Sequence, residues 1–452
     1  MPEHRLAAVV PAWNEAAAIG DVVRGLRAAG ACCVLVVDAG STDGTRERAR
    51  AAGATVVLEP RRGYGRACLT GAAAAAGHEL VAFLDGDGSC VPAELAALDG
   101  TAVTTGADLV LGRRARVEPG ALAWHARLGN GLVAAVLRAR SGRAIHDLPP
   151  FKLIRADALA ALDLDDAGYG WTVQVTGRAL THPALRVVET PAAFLPRAGG
   201  ESKVSGRLVP SLRAGHAMLA RARSATRRRG LLVLMAKAPR PGHSKTRLEA
   251  DIGPGAAVGF WTACLRDAGA RLRRAAAATG LDVAAMTPSH ADATEVRRLT
   301  GLPAIVQHGP GLARALLEVS ELPAPFTIAV SADAPTLPDE LLGRAAAILR
   351  GRRPPAVLGP APDGGYYLVG LRRGFPAGRR RRAFLEAPMG SGGVLAHTRA
   401  ALDGPVLLAP WPDVDSGTEL RHLAGELERE PNTAPAVAAW LREHGGRVKE
   451  AG

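Results

Sequence analysis

Short apolar runs alternate along the chain with stretches in which apolar residues recur every three to four positions, and that alternation predicts parallel α/β units. In the first half the runs are Ala7–Val10, Val34–Val37, Thr55–Leu58, Leu80–Leu84 and Asp108–Leu111, with helix patterns such as Ala18–Ala29 and Thr45–Ala52 between them. A repeat of about 25 residues fits a doubly wound sheet. In the second half the runs are Leu231–Met235, Asp282–Met286, Ala304–Gln307, Thr327–Ser331 and Ala356–Gly359. Between the two series, residues 221–230 read RARSATRRRG, a basic stretch with no apolar period. The domain boundary is therefore expected near residue 226, giving 1–225 and 226–452, each an α/β domain of Rossmann-like plan with a mainly parallel sheet. Each half opens on a strand-to-loop signature and later sets acidic residues after a central apolar run, Asp85 and Asp87 in one and Asp333 in the other. Two nucleotide-binding domains in tandem are the economical reading.

The length of 452 residues agrees with two domains at roughly 100 to 200 residues each. Hydrophobic residues at 48% and charged residues at 22% exclude a disordered or fibrous chain. Apolar stretches such as Gly131–Leu137 and Leu231–Ala236 fall far short of the roughly 20 residues a membrane helix requires. The start of the chain leads into a strand without a secretory pattern, so a soluble, cytoplasmic protein is expected. The cysteines Cys32, Cys33, Cys68, Cys90 and Cys264 have no CxxC or zinc-site spacing and read as small buried hydrophobes in a reducing compartment. A net charge of +13 asks for an anionic partner: nucleic acid, a phosphorylated small molecule or an acidic membrane surface. Specific nucleic-acid binding is not expected, because aromatic residues are only 4% and no recognised motif accompanies the runs Arg227–Arg229 and Arg379–Arg382. The isolated histidines and the lack of a GlyxSerxGly elbow leave hydrolytic catalysis without support. Trp124, Trp171, Trp261, Trp411 and Trp440 read as core or sugar-stacking residues, and Trp171 alone sits in a motif with functional meaning.

The densest chemical signal is FLDGDGS at residues 83–89. Asp85 and Asp87, one residue apart in sharply turning backbone at a strand end, can offer oxygen ligands to Mg²⁺ or Mn²⁺, which in turn neutralises a diphosphate. The same residue types build ordinary solvated turns. Against that stand VVPAWNE at 9–15 and VVDAGSTDGT at 36–45, each at the C-terminal end of an expected strand, where ligands bind in open α/β sheets. Asp38 can accept hydrogen bonds from a base or ribose, and Ser41 and Asp43 can cap the helix that follows.

Together with Arg61, Arg62, Gly63, Tyr64, Gly65 and Arg66, these motifs resemble glycosyltransferase family 2 across the first domain. The motifs DLPPFK at 147–152, YGWTVQ at 169–174 and GESKVSG at 200–206 look most like the polyprenyl-phosphate sugar synthases of that family. The resemblance implies a nucleotide-diphospho-sugar transferase fold and inverting, metal-dependent transfer of a hexosyl group from a nucleotide sugar. By the same resemblance Asp87, Asp147 and Lys203 are catalytic, Asp85 and Asp87 hold the metal, and the donor meets Pro11, Asn14, Glu15, Asp38, Ser41, Asp43, Gly65, Arg66, Asp85, Trp171 and Gln174.

Two positions depart from the family pattern: Ala39 stands where a second acidic residue is common, and Gln174 where Glu is usual. Gln cannot serve as a general base. A phosphate monoester, with a second pKa near 6, is already ionised at pH 7 and needs none. The expected acceptor is therefore a phosphate, a polyprenyl phosphate at the inner face of the membrane. The stretch Ser205–Arg229 interleaves Leu208, Val209, Leu212, Met218 and Leu219 with Arg207, Arg213, Arg221 and Arg223. It reads either as a basic amphipathic helix lying on an anionic membrane or as a helix joining the domains with its apolar face on the protein.

In the second half, AKAPRPGHSKTRL at 236–248 follows a strand and opens a helix, a place where backbone amides and cations hold phosphates. The GlyxxxxGlyLysSer spacing of a P-loop is absent, which excludes an ATPase reading. With SADAP at 331–335, GPAPDGGYYL at 359–368 and DVD at 413–415, the loop resembles a bacterial family of glycosyltransferase-like domains and the nucleotidyltransferases that build cofactor dinucleotides. That resemblance implies a nucleotide site at Lys237, Pro239, Gly242, Lys245, Thr246, Arg247, Asp333, Asp363, Gly364, Gly365 and Asp415. Where relatives carry TrpSerThr this chain reads APMGSGG at 387–393, so active transferase, nucleotidyltransferase supplying the donor and non-catalytic nucleotide module all stay open.

Overall fold

Runs of apolar residues long enough for a strand but too short for a helix end up buried on both faces of a sheet, and that is the plan of each half of this chain. The computed structural model describes residues 5–199, 208–351 and 355–450. The chain divides into two compact units, Met1–Arg227 and Arg228–Gly452.

In the first unit the strands are β1 Leu6–Ala12, β2 Cys33–Asp38, β3 Thr55–Leu58, β4 Leu80–Phe83, β5 Leu109–Val117, β6 Lys152–Arg155 and β7 Val187–Phe194. They form one sheet in the order β3-β2-β1-β4-β6-β5-β7. Only β6 runs antiparallel to its neighbours. Alternate residues supply the two cores, as a period of two requires. Ala7, Val9, Leu35, Val37, Val81 and Phe83 pack with Trp171, Val173 and Val175 of the helix Gly170–Thr181. Ala8, Val10, Val34, Val36, Leu80 and Ala82 pack with Ile19, Val22, Val23 and Leu26 of the helix Ile19–Ala28, whose spacing puts them on one face.

In the second unit the strands are β8 Leu231–Met235, β9 Asp282–Thr287, β10 Ala304–Val306, β11 Phe326–Ser331, β12 Ala356–Pro360, β13 Tyr366–Arg372 and β14 Val406–Leu407. Their order, β10-β9-β8-β11-β13-β12-β14, repeats that of the first unit position for position. The antiparallel member, β13, occupies the place of β6. The protein is thus an α/β chain of two mainly parallel sheets in tandem, as expected. The strands β6, β7, β13 and β14 were not expected from the apolar runs.

Two details differ from the sequence reading, and a third selects between its alternatives. Cys32 is exposed at the edge of β2, while Cys68, Cys90 and Cys264 are buried. Trp124 is a surface residue, 74% exposed, because it opens the helix Trp124–Ser141 on the side away from the core. The helix Leu208–Ala225 turns Met218, Leu219 and Ala222 onto the first unit's core, so this described part faces protein. Ser205–Arg207 lie outside the described residues. Among the described residues, no helix is long and apolar enough to cross a membrane.

Candidate functional site

The C-terminal ends of β1, β2 and β4 lie side by side in the first sheet, and the loops leaving them surround a cavity of about 630 Å³. Asp85 and Asp87 follow β4 and both line it, with Pro11 near the end of β1 and Glu15 after it. Asp87 is buried. Its Oδ1 accepts from the Ser89 amide at 2.9 Å and hydroxyl at 2.6 Å, and its Oδ2 accepts from Arg197 at 2.7 Å. Arg197 also donates to both oxygens of Glu15, at 2.7 and 2.9 Å. Asp85 Oδ1 is hidden from solvent and makes no well-formed hydrogen bond; the buried Tyr64 hydroxyl lies near the carboxyl but does not meet hydrogen-bond geometry with Oδ1. Burial, and after it the negative charge of Asp87, push the Asp85 carboxyl up to about 7. A buried acceptor left without a good donor is costly, and two buried carboxylates one residue apart, only one of them paired with a cation, are a donor set for a hard cation such as Mg²⁺ or Mn²⁺.

The other expected donor residues divide between the cavity wall and the frame that holds it. Asp38, at the end of β2, accepts from the Gly40 and Ser41 amides at 3.1 and 3.2 Å. Ser41 Oγ accepts from the Asn14 amide, Asn14 Oδ1 from the Thr42 amide, and Asp43 from the Ala16 and Thr45 amides. Asn14 holds the left-handed conformation, at φ 55°. Asn14, Ser41 and Asp43 thus latch the β1 loop to the β2 loop, while Asp38 turns the β2 loop on itself. Neither expected cap is present: the helix Thr45–Ala51 has Gly44 at its N-cap with no side-chain cap, and Asp43 just before it accepts from the Thr45 amide.

Gly65 sits where a Cβ would approach Asp166 O to 2.1 Å, so only glycine lets the helix Tyr64–Ala74 start against the 165–168 loop. The amides of Gly65 and Arg66 donate to the carbonyls of Gly168 and Ala167. Arg66 itself lies off the cavity lining, with its Nε buried and unpartnered. Gln174 is fully buried and fixes that same loop: its Oε1 accepts from the Asp165 and Asp166 amides at 3.2 and 3.0 Å, and its Nε2 donates to Asp165 Oδ1 at 2.6 Å. Trp171 is in the core, its ring 4.8 Å from that of Phe83. Neither Trp171 nor Gln174 lines the cavity, so the exchange of Glu for Gln at 174 bears on the loop and carries no information about a general base.

Asp147 also stands behind the wall. It grips Arg114, which lines the cavity, through Nε at 2.8 Å and Nη2 at 2.5 Å. Burial would raise the Asp147 pKa, but the Arg114 guanidinium holds it below the usual carboxylate range. Lys203 lies outside the described residues. Sequence reasoning missed three cations. Arg197 stands alone before the GESKVSG motif, Arg114 falls within β5, and Lys152 ends DLPPFK. Lys152 is fully buried, donates to Thr172 at 3.3 Å and lies 5.0 Å from the Trp171 ring centre; burial lowers its pKa to about 8.

In the second unit, Lys245 is brought together with Asp333 and Asp415. Its ammonium donates to Asp415 Oδ1 at 2.6 Å, Val414 O at 2.7 Å and Asp333 Oδ2 at 3.2 Å. All three of its donors are therefore spent. Burial raises the Asp413 carboxyl to about 7, with Asp333, Asp363 and Asp415 adding to the shift. Gly364, at φ 87°, packs against Gly392 O, where a Cβ would come to 2.2 Å, and the Gly365 amide donates to Asp363. Lys237, Thr246 and Arg247 are exposed, Pro239 is half-buried, and the Gly242 amide is tied to Glu249 at 2.8 Å. Among the described residues, no group of three or more His, Cys, Asp or Glu side chains is arranged to hold a metal.

A family model described as glycosyl transferase family 2 matches residues 7–162, and one described as an uncharacterized protein conserved in bacteria (DUF2064) matches residues 271–391. An uncharacterized glycosyltransferase of Mycobacterium tuberculosis is 39% identical over 208 residues, 45% of this chain and 91% of that protein. An undecaprenyl-phosphate mannosyltransferase of Micrococcus luteus is 35% identical over 221 residues, 45% of this chain and 89% of that protein. Among solved structures, glucosyl-3-phosphoglycerate synthase from Mycobacterium tuberculosis, with Mn²⁺, UDP-glucose and phosphoglyceric acid, matches 49% of this chain and 80% of its own, with a TM-score of 0.40 and 24% identity.

Proposed function

This chain belongs to glycosyltransferase family 2 through its first domain, and from that premise we propose that it moves a hexosyl group from a nucleotide sugar to a polyprenyl phosphate. The observation that carries the reading is the buried, unpartnered oxygen of Asp85 beside Asp87 in the cavity at the ends of β1 and β4. Asp85 and Asp87 would hold Mg²⁺ or Mn²⁺, which supplies charge neutralisation for the diphosphate leaving group. Arg197 keeps Asp87 and Glu15 in place, Asp147 keeps Arg114 at the wall, and Arg62 lines the cavity with its guanidinium 4.2 Å over the Trp13 ring.

The acceptor assignment rests on what the wall contains. Among the described residues its carboxylates are Glu15, Asp85 and Asp87, all within the Arg197 and metal-site group, and no histidine lines it. A sugar hydroxyl would need a base there. A phosphate monoester needs none: its oxygen attacks the anomeric carbon as the bond to the donor diphosphate breaks, with inversion. The likeness to an undecaprenyl-phosphate mannosyltransferase supports the same acceptor class.

The second domain is read as a nucleotide or nucleotide-sugar binding domain, in which Lys245 neutralises Asp333 and Asp415 while Lys237 and Arg247 face outward. The test is an assay of the full chain with labelled nucleotide sugars, Mg²⁺ or Mn²⁺, and undecaprenyl phosphate. A glycosyl-phosphate lipid is expected. Transfer to a sugar or protein hydroxyl with none to the lipid phosphate would overturn the reading.

A further inference from the structure

The helix Trp124–Ser141 forms part of the cavity wall and carries apolar residues on its outer side as well as its inner one. Ala126 and Asn130 line the cavity, and Val133, Ala134 and Leu137 are buried. On the opposite side Trp124, Leu128 and Leu132, one turn apart, are 74%, 68% and 52% exposed. Steps of four residues drift only about 40° each, so the three make one continuous stripe. The helix contains Arg127, Arg138 and Arg140 and no Asp or Glu. Arg127 and Arg138, both exposed, fall on one flank of the stripe. The helix Leu208–Ala225 packs beside it and also has no acidic residue in its sequence.

Arg138 donates to Ile145 O and Arg140 to Thr226 Oγ1, which leaves Arg127 beside the stripe. From this we infer that the outer face of Trp124–Ser141 seats the first domain on an anionic bilayer surface, with the stripe in the acyl boundary and Arg127 among the phosphates. Two observations select a membrane as the occupant. The charge is of one sign along the whole helix, complementary to anionic headgroups, and an aromatic residue with aliphatic ones on a basic helix is the composition of interfacial anchors. The stripe is also continuous with the site: Ala121 and Leu122, immediately before the helix, line the cavity. A surface lying against this wall would bring a lipid-borne phosphate to the cavity mouth. The inference rests on the lipid-phosphate reading above and adds where the membrane sits.

The test is sedimentation of the full chain with phosphatidylglycerol vesicles and with phosphatidylcholine vesicles, both free of polyprenyl phosphate, beside transfer to a water-soluble short-chain isoprenyl phosphate. Wild type is expected to partition at least tenfold more onto the anionic vesicles. The triple variant Trp124→Ser, Leu128→Ser, Leu132→Ser is expected to lose that binding by tenfold or more while keeping soluble-acceptor transfer. Arg127→Gln is expected to weaken binding in low salt with the fold intact by circular dichroism. Vesicle binding unchanged in the triple variant, or absent in wild type, overturns the inference. A dimer that the triple variant dissolves, without vesicle binding, overturns it in favour of a second copy of the chain. Vesicle binding with no transfer to any lipid phosphate leaves the surface standing and removes the acceptor assignment instead.

Discussion

The two carboxylates of the first site differ by what each already holds. Asp87 is satisfied by Ser89 and Arg197, whereas Asp85 keeps one buried oxygen without a donor. Substituting Asp87 with Asn should therefore remove charge the cation needs and also break the Arg197 ion pair, so the variant's fold is checked by circular dichroism. Transfer is expected to fall by about 10²–10³-fold, the scale of losing one group that stabilises charge in the transition state, and Mn²⁺-dependent donor binding should weaken in parallel by calorimetry. Retained activity would remove the metal assignment. Gln174 makes the opposite case. Its amide donates to Asp165 and accepts from two loop amides, so Gln174→Glu sets carboxylate against carboxylate in a buried position. That variant should lose about 1–3 kcal/mol of stability, the cost of an unsatisfied buried polar group, with no gain in transfer to hydroxyl acceptors. A gain would show that position 174 reaches the substrate after all.

The strands legible in the sequence are those that begin as a plain apolar run, β1–β5 and β8–β12, most of them buried on both faces. Those that were not legible have a physical reason. β6 begins with a buried lysine after two prolines, β14 has two residues, and β7 carries Pro191, tolerated because β7 ends the sheet. The DGDG turn was legible because Asp and Gly at a strand end are local chemistry. The Arg197 bridge was not, because it joins positions 182 residues apart. Asn14, Ser41 and Asp43 were legible as important but not as a latch, since hydrogen bonds between loops leave no periodic trace. The same holds for Glu59, just after β3, which binds Arg61 and Thr70. Those bonds, Arg61 first, pull its pKa from the usual range to about 2. A depressed acid stabilises the fold above its unfolded pKa of about 4.3, and that stability is lost as pH falls through the folded value. Glu59→Gln should thus be less stable than wild type at pH 7, and the gap in urea midpoint should close between about pH 4 and pH 2. A gap that persists at the acid end would show that the charge is not what holds the loop.

Both halves of the molecule use one strand order, and Asp333 stands two residues past the end of β11 as Asp85 stands two past β4. The repetition extends to topology and not to chemistry. Where the first half follows with Asp87, the second has Pro335, and its acidic residues arrive from elsewhere in the chain to meet Lys245. Each half has its own complete sheet, so each should fold when expressed separately as 1–227 and 228–452. The first piece is expected to bind a nucleotide sugar only when Mg²⁺ or Mn²⁺ is present, with the heat lost on chelation. The second is expected to bind a nucleoside triphosphate or a nucleotide sugar, and Lys245→Met should unfold it more readily. The cost should be on the order of 3 kcal/mol, the low end for breaking a buried pair, because Asp415 keeps 36% of its side chain exposed. Release of pyrophosphate from a triphosphate and a sugar 1-phosphate by that piece would make it the source of the first half's donor. Binding without release would make it a nucleotide-holding module, and no binding across the panel would remove the nucleotide reading from the second half while leaving the first untouched.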